Sequence, residues 1–228
     1  MQFYGQIKEP FWDDRPVAIV GGGTSLAGFD FEQLRGAHVL AVKGSIFDIP
    51  WADAGFGLDM PRYMDWRDKL ANVQSRVYWA VPVEQIDKTG PPPSENVTFL
   101  RRLTGEGISE DPGEIFGGGT SGYGALQVAL HKRAKDIVLF GFDYDPGVAV
   151  QHMVEGKAFR HNDQHYVRKM HQSAANWLEW SKHFDTYLPY ITEHRISVIN
   201  ACPTSHITCF EKMTLEEGVE YVRSNGAN

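Results

Sequence analysis

The strongest constraint on the fold is a set of short apolar runs that fail to alternate. They are "PVAIVG" (16–21), "AHVLAVKG" (37–44), "DAGFGLDM" (53–60), "SRVYWAVP" (75–82), "KDIVLFGFD" (135–143) and "RISVINAC" (195–202). Most are rich in Val, Ile and Leu, and glycines weaken the third. A strand with one wet face reads apolar–polar, whereas a strand covered on both faces stays apolar throughout. Helical patterns lie between the runs. "FEQLRG" is short and ends in Gly36 as a C-cap, and "PRYMDWRDKLANV" carries Pro61 in its first turn. "SGYGALQVALHKRA" sets Ala125, Val128, Ala129 and Lys132 on neighbouring turns. The longest helix is expected from about Gln164 to Tyr187, with Trp177 and Trp180 packing it onto the sheet. "TLEEGVEYVRS" closes the chain with Thr214 and Glu217 spaced as a capping box. Alternating strands and helices imply an α/β fold with a mostly parallel sheet flanked by helices.

With 228 residues, 42% of them hydrophobic, the chain can bury a sizeable core, as one large domain or a domain with a lid. The formal net charge of −7 argues against a duplex DNA partner, since such proteins need Lys and Arg to displace counterions. It leaves room for a local basic pocket. Cys202 and Cys209 lack the spacing of a metal site and are expected as buried, reduced thiols in a cytoplasmic protein. No apolar run approaches the ~18–20 residues of a membrane span. The opening "MQFYGQIKEPFWDDRP" carries acids and no apolar core of a signal peptide.

Two stretches interrupt the pattern. "DKTGPPPSEN" (87–96) is expected to be irregular because of its three prolines. Residues 145–165 have weak periodicity and follow a strand that ends in Asp143. Ligands of open α/β sheets bind beyond the carboxyl ends of the strands, so an insertion there is a candidate active-site lid.

The first run enters Gly21-Gly22-Gly23-Thr24-Ser25 and then a helical segment. Free N–H groups at such a turn can hold an anion, and Ser25 can add a hydroxyl. A P-loop would need Lys-Ser/Thr, and G-x-G-x-x-G would need glycine where Leu26 stands. A tight turn without a ligand is therefore the competing reading. "FGGGTSGYGALQVAL" (116–130) repeats the Gly-Gly-Gly-Thr-Ser pattern before a helix. Thr120 and Ser121 there are either simple N-cap residues or part of one site shared with the first loop. Asp143 and Asp145 either hold Mg²⁺ or a ribose or shape the turn. His152, His161, His165 and His171 crowd one segment. A neutral histidine is a suitable base near pH 7. His161 and His165, at i and i+4, also suit a zinc-binding helix face, but the adjoining Glu of H-E-x-x-H is missing.

The order of these pieces resembles the bacterial sialyltransferases that use CMP-sialic acid and the related DUF115 proteins, which include a pterin diphosphokinase. Similar phage-encoded proteins exist. The resemblance rests on "GGGTSL" after the first strand, Thr120-Ser121-Gly122 opening a helix, Gly141-Phe142-Asp143 ending a strand, and the late "INACPTSHITCF". It covers most of residues 16–222 and implies a Rossmann-like domain over 1–228. It further implies a nucleotide-sugar-dependent glycosyltransferase, with Gly21, Gly22, Gly23, Ser25, Lys43, Asp59, Thr120, Ser121 and Gly122 around the nucleotide. The family's base falls where Lys169 stands, so the alignment points to His165 or His171; His165, at the lid–helix junction, is the expected base, with His161 second on the lid and Asp143 among the catalytic groups. Arg160, Tyr166, Arg168 and Lys169 are available to a leaving phosphate. Gly22 and Lys43 stand where the sialyltransferases have asparagines that hold the cytidine nucleotide, and Asp59 replaces another Asn. Asp59 suits a metal or a sugar hydroxyl. Glycosyl transfer of this type requires no metal. The DUF115 alternative is Mg²⁺-dependent phosphate or diphosphate transfer, and a non-catalytic nucleotide-binding phage accessory protein is the third reading. The expected partners are a nucleotide or nucleotide sugar and an acceptor that the sequence does not name. The expected location is the cytoplasm of a bacterial or phage-infected cell.

Overall fold

The computed structural model describes residues 3–145 and 174–226. Its centre is a nine-stranded sheet in the order β6-β5-β4-β3-β2-β1-β7-β8-β9, parallel at every pairing. The strands are β1 (Val17–Val20), β2 (His38–Val42), β3 (Ala54–Gly57), β4 (Arg76–Pro82), β5 (Val97–Leu103), β6 (Glu114–Phe116), β7 (Asp136–Phe140), β8 (Ser197–Asn200) and β9 (Glu211–Lys212). The helices are α1 (Ser45–Asp48), α2 (Met60–Leu70), α3 (Ile86–Thr89), α4 (Ser121–His131), α5 (Ala174–Lys182), α6 (Leu188–His194) and α7 (Leu215–Asn225). This is the α/β, Rossmann-like architecture expected from the apolar runs.

Why those runs do not alternate is visible in the core. Val17 and Ile19 of β1 join one buried cluster with Ala125 and Val128 of α4. Ala18 and Val20 join the other, with Val219 and Val222 of α7. Each of β1, β2, β4 and β7 therefore feeds two cores, one per face, and both of its residue sets must be apolar. Caps fix the helix starts. Asp59 accepts from the Arg62 N–H at the head of α2, Thr120 accepts from the Tyr123 N–H at the head of α4, and Thr214 with Glu217 completes the capping box of α7.

Several elements differ from expectation. β5, β6 and β9 extend the sheet at both edges, beyond the runs that were apolar enough to stand out. Residues 87–89 form the body of the one-turn α3, which stops at Gly90 before the prolines. The long helical region breaks after Lys182 into a 3-10 turn, His183–Tyr187, and resumes as α6. Trp177 packs edge-on against Tyr144 and Trp180, and Trp180 lies over Gly119. These tryptophans thus seat α5 on the second glycine loop. Both cysteines are free; Cys202 is buried but Cys209 is only half-buried.

At the amino edge of the sheet, the N-terminal segment is clasped from two sides. Buried Lys132 donates from Nζ to the carbonyls of Lys8 and Pro10. His38 places Nε2 2.8 Å from Asp14 and Nδ1 3.4 Å from Asp53, and its ring stacks on Trp12.

Candidate functional site

In a parallel sheet every strand ends on the same edge. The order reverses between β1 and β7, so a crevice opens beyond their carboxyl ends. The first glycine loop leaves β1 there, and Gly141-Phe142-Asp143 leaves β7 beside it. The Gly21 N–H donates to the Phe140 carbonyl at 2.8 Å, and the Gly23 N–H donates to Gly141 at 3.0 Å. A Cβ on Gly23 would sit 2.5 Å from an Asp143 oxygen, so this close approach requires glycine.

The loop meets a carboxylate. Asp143 accepts from the Ser25 N–H at 2.9 Å, the Ser25 hydroxyl at 2.5 Å and the Thr24 hydroxyl at 3.1 Å. A negative group thus already faces the start of the 3-10 turn Thr24–Leu26. The late loop after β8 completes this corner. Asn200 and Ser205 donate to the Phe142 carbonyl at 3.3 and 2.6 Å, and the His206 N–H donates to the Asp143 carbonyl at 3.0 Å. Burial, followed by the nearby Asp143 charge, raises the Cys202 thiol above its ordinary range. Asp145 lies 3.7 Å from His206 Nε2.

Lys43 and Asp59 leave β2 and β3 on the neighbouring side, with Nζ and carboxylate 3.4 Å apart. Lys43 adopts a left-handed backbone with φ 55°, an uncommon conformation outside glycine that clusters at functional sites. The head of α4 stands at the same edge, since α4 packs over β1, β2 and β3. Thr120 caps it, and its hydroxyl lies 2.5 Å from the buried Tyr144 phenol, whose ionisation burial strongly opposes. Tyr144 and Phe142 also cover Gly122. Ser121 is 4% exposed, and among the described residues its hydroxyl has no hydrogen-bond partner.

The structure therefore gathers Gly21, Gly22, Gly23, Ser25, Lys43, Asp59, Thr120, Ser121, Gly122 and Asp143 along one sheet edge. His161 and His165, and residues 146–165 of the proposed lid, lie outside the described residues, as do Arg160, Tyr166, Arg168 and Lys169. Among the described residues no group of His, Cys, Asp and Glu is arranged to hold a metal.

Farther along the edge is a cavity of about 300 Å³ that sequence reasoning missed. Pro82, Glu84, Arg102, Thr104, Glu106 and Gly117 to Gly119 line it. Burial lowers the Arg102 pKa, the charges of Asp59 and Glu84 oppose that, and its guanidinium donates to the Leu58 carbonyl at 3.3 Å. His183 contacts two of the lining residues, with Nδ1 3.0 Å from the Gly118 carbonyl and 3.4 Å from Glu106. The available signal was "NVTFLRRL" read as a strand, which would have put Arg102 and Thr104 at this edge.

No protein-family model matches the chain, and no curated protein matches its sequence. Among the described residues no helix is long and apolar enough to cross a membrane.

Proposed function

We propose that the protein is a nucleotide-dependent transferase that moves a glycosyl group from a nucleotide-sugar donor held in the crevice between β1 and β7. The observation that carries this reading is the meeting of Ser25 and Asp143, 118 residues apart in sequence, at the point where strand order reverses. Asp143 engages the Ser25 N–H, so the first loop presents a carboxylate and hydroxyls. That chemistry suits a ribose hydroxyl better than a phosphate. The head of α4, with Thr120, Ser121 and Gly122, offers the donors for the phosphate, and Lys43 adds positive charge. A histidine takes the acceptor's proton, and His165 and His161 are the lid candidates. Gly22 has open space around its Cα, so it leaves the base unread.

Mg²⁺-dependent phosphate transfer is the second reading, supported by Asp59 and Asp143 sharing one edge. Their carboxylates already face Lys43 and Ser25, and a cation would have to compete with both. Thermal-shift measurements with a panel of nucleotides and nucleotide sugars, with and without Mg²⁺, test these readings. Metal-independent stabilisation by a nucleotide sugar is the expected result. Strict Mg²⁺ dependence with a triphosphate moves the assignment to phosphate transfer. Stabilisation without turnover of any donor supports an accessory binding protein, and no stabilisation at all removes every nucleotide reading.

A further inference from the structure

We infer that the cavity at the carboxyl ends of β4, β5 and β6 binds a small zwitterion of the free α-amino acid type, its carboxylate on Arg102 and its ammonium toward Glu84 and Glu106. The binding does not depend on the transferase reading. Arg102 is the most enclosed charge in the lining: it is half-buried, whereas Glu84 and Glu106 are exposed. It is flanked in register by Pro82 of β4 and Ile115 of β6. Its Nη1 donates to the Leu58 carbonyl at 3.3 Å. A Cβ on Gly117 would sit 2.9 Å from Arg102 Nε and 3.2 Å from Nη2. The missing side chain of that glycine therefore lets the guanidinium lie against the second glycine loop.

A charge withdrawn from water is ordinarily paired. Among the described residues Arg102 forms no ion pair. Its neighbour Arg101 takes Glu114, Asp59 lies against Lys43, and Glu106 lies against His183. Burial disfavours the charged form of Arg102, and the charges of Asp59 and Glu84 do not make up the loss. A guanidinium held in this way at a cavity wall suits a planar carboxylate, which can accept two parallel N–H groups.

The exposed acids define the other end of the ligand. Glu84 and Glu106 line the same cavity, so a phosphate or a dicarboxylate on Arg102 would bring further negative charge toward them. An ammonium there finds acceptors instead. A diamine would satisfy the acids but set a cation against Arg102. One charge of each sign on a small molecule matches both ends. At about 300 Å³ the cavity has room for a common amino acid. Gln85 and Thr104 can hydrogen-bond a polar side chain, while Pro82 and Leu103 alone supply apolar ones. Serine and glutamine are therefore the better probes.

Amide-shift NMR titrations of the full chain test this. L-Serine and L-glutamine are the probes; propionate, ethanolamine and inorganic phosphate are the controls. At least one amino acid should shift the Gly105, Gly118 and Gly119 amides saturably, and no control should do so at the same concentrations. No saturable shift with either amino acid overturns the site. Equal shifts with propionate or phosphate make it a plain anion site, and equal shifts with ethanolamine a plain cation site; each overturns the zwitterion assignment. Arg102→Met should weaken binding by about tenfold or more, and Glu84→Gln by roughly two- to fivefold. Unchanged affinity in both variants overturns the assignment of the two ends. Should Arg102→Met fail to fold, having lost its hold on the Leu58 carbonyl, the exposed Glu84→Gln and the wild-type comparison of probes decide without it. Amino-acid shifts without nucleotide stabilisation defeat the donor reading alone; nucleotide stabilisation without amino-acid shifts defeats this inference alone.

Discussion

The Asp143 carboxylate closes on both the amide and the hydroxyl of Ser25, at 2.9 and 2.5 Å. A phosphate at the first loop would have to displace an anion already in place. Asp143→Ala should therefore have two opposite effects. Stability should fall by about 1–3 kcal/mol, the usual cost of losing hydrogen bonds to a charged group. Affinity for inorganic pyrophosphate should rise, because the Ser25 N–H becomes free and the repelling charge is gone. Urea unfolding and calorimetric titration measure the two, and unchanged pyrophosphate affinity would count against an anion-excluding role for Asp143.

The Thr120 hydroxyl serves two partners, the Tyr123 N–H at 3.2 Å and the Tyr144 phenol at 2.5 Å. Thr120→Ala removes an N-cap and leaves a buried phenol unpaired, a combined cost of about 1–3 kcal/mol. Thr120→Ser keeps the oxygen and should recover most of the loss. Denaturant midpoints of the two variants separate the hydrogen bonds from the missing methyl group.

The parts of this molecule legible in the sequence are those whose physics is local. β1, β2, β7 and β8 stand out because both faces of each strand are buried, and the cap residues lie within a turn of what they cap. β5 is masked because its apolar start runs into Arg101 and Arg102, of which Arg101 pairs with Glu114 of β6. β6 and β9 have three and two residues, too few for a periodic signal. The glycine loops were visible, but the Ser25–Asp143 contact was not. It follows from the register of β1 on β7, where Val20 pairs with Phe140, and no local pattern encodes that pairing. His183 was equally hidden, because its partners Gly118 and Glu106 belong to a distant edge of the sheet.

At the amino edge, His38 links stability to pH. Burial alone would lower its pKa, but hydrogen bonds to Asp53 and Asp14 outweigh burial and Arg15 together and raise it above 6.5. Its stabilising contribution is thus complete below pH 6.5 and is lost as pH rises through the raised value. The hydrogen bond from His38 holds Asp14 below 3.8, and the same ring with the Val39 N–H outweighs burial at Asp53. Those contributions are present above pH 3.8 and fade in stronger acid. The cluster should stabilise most between pH 3.8 and 6.5, and His38→Gln should flatten the thermal midpoint on the alkaline side of that window.

Lys132 adds a dependence of the opposite sign. Burial, followed by repulsion from Arg76, pushes its pKa down from 10.5 to about 8. Between those values the unfolded chain holds a proton that the folded chain has released, so folding becomes more favourable as pH rises through this window. The neutral amine can still donate to the Lys8 and Pro10 carbonyls, so the N-terminal segment stays clasped while the burial cost of the charge disappears. Lys132→Met keeps the stem packed near Trp12 and Tyr78, whose rings lie 5.4 and 5.6 Å from Nζ, but removes both the charge and the donor. The variant should lose the alkaline rise in urea midpoint, and hydrogen exchange should quicken at the Trp12 amide, which donates to the Lys132 carbonyl at 2.6 Å. The same pH dependence of the midpoint in wild type and Lys132→Met from pH 8 to 10 would show that Lys132 folds as a cation held by its two carbonyls and two rings.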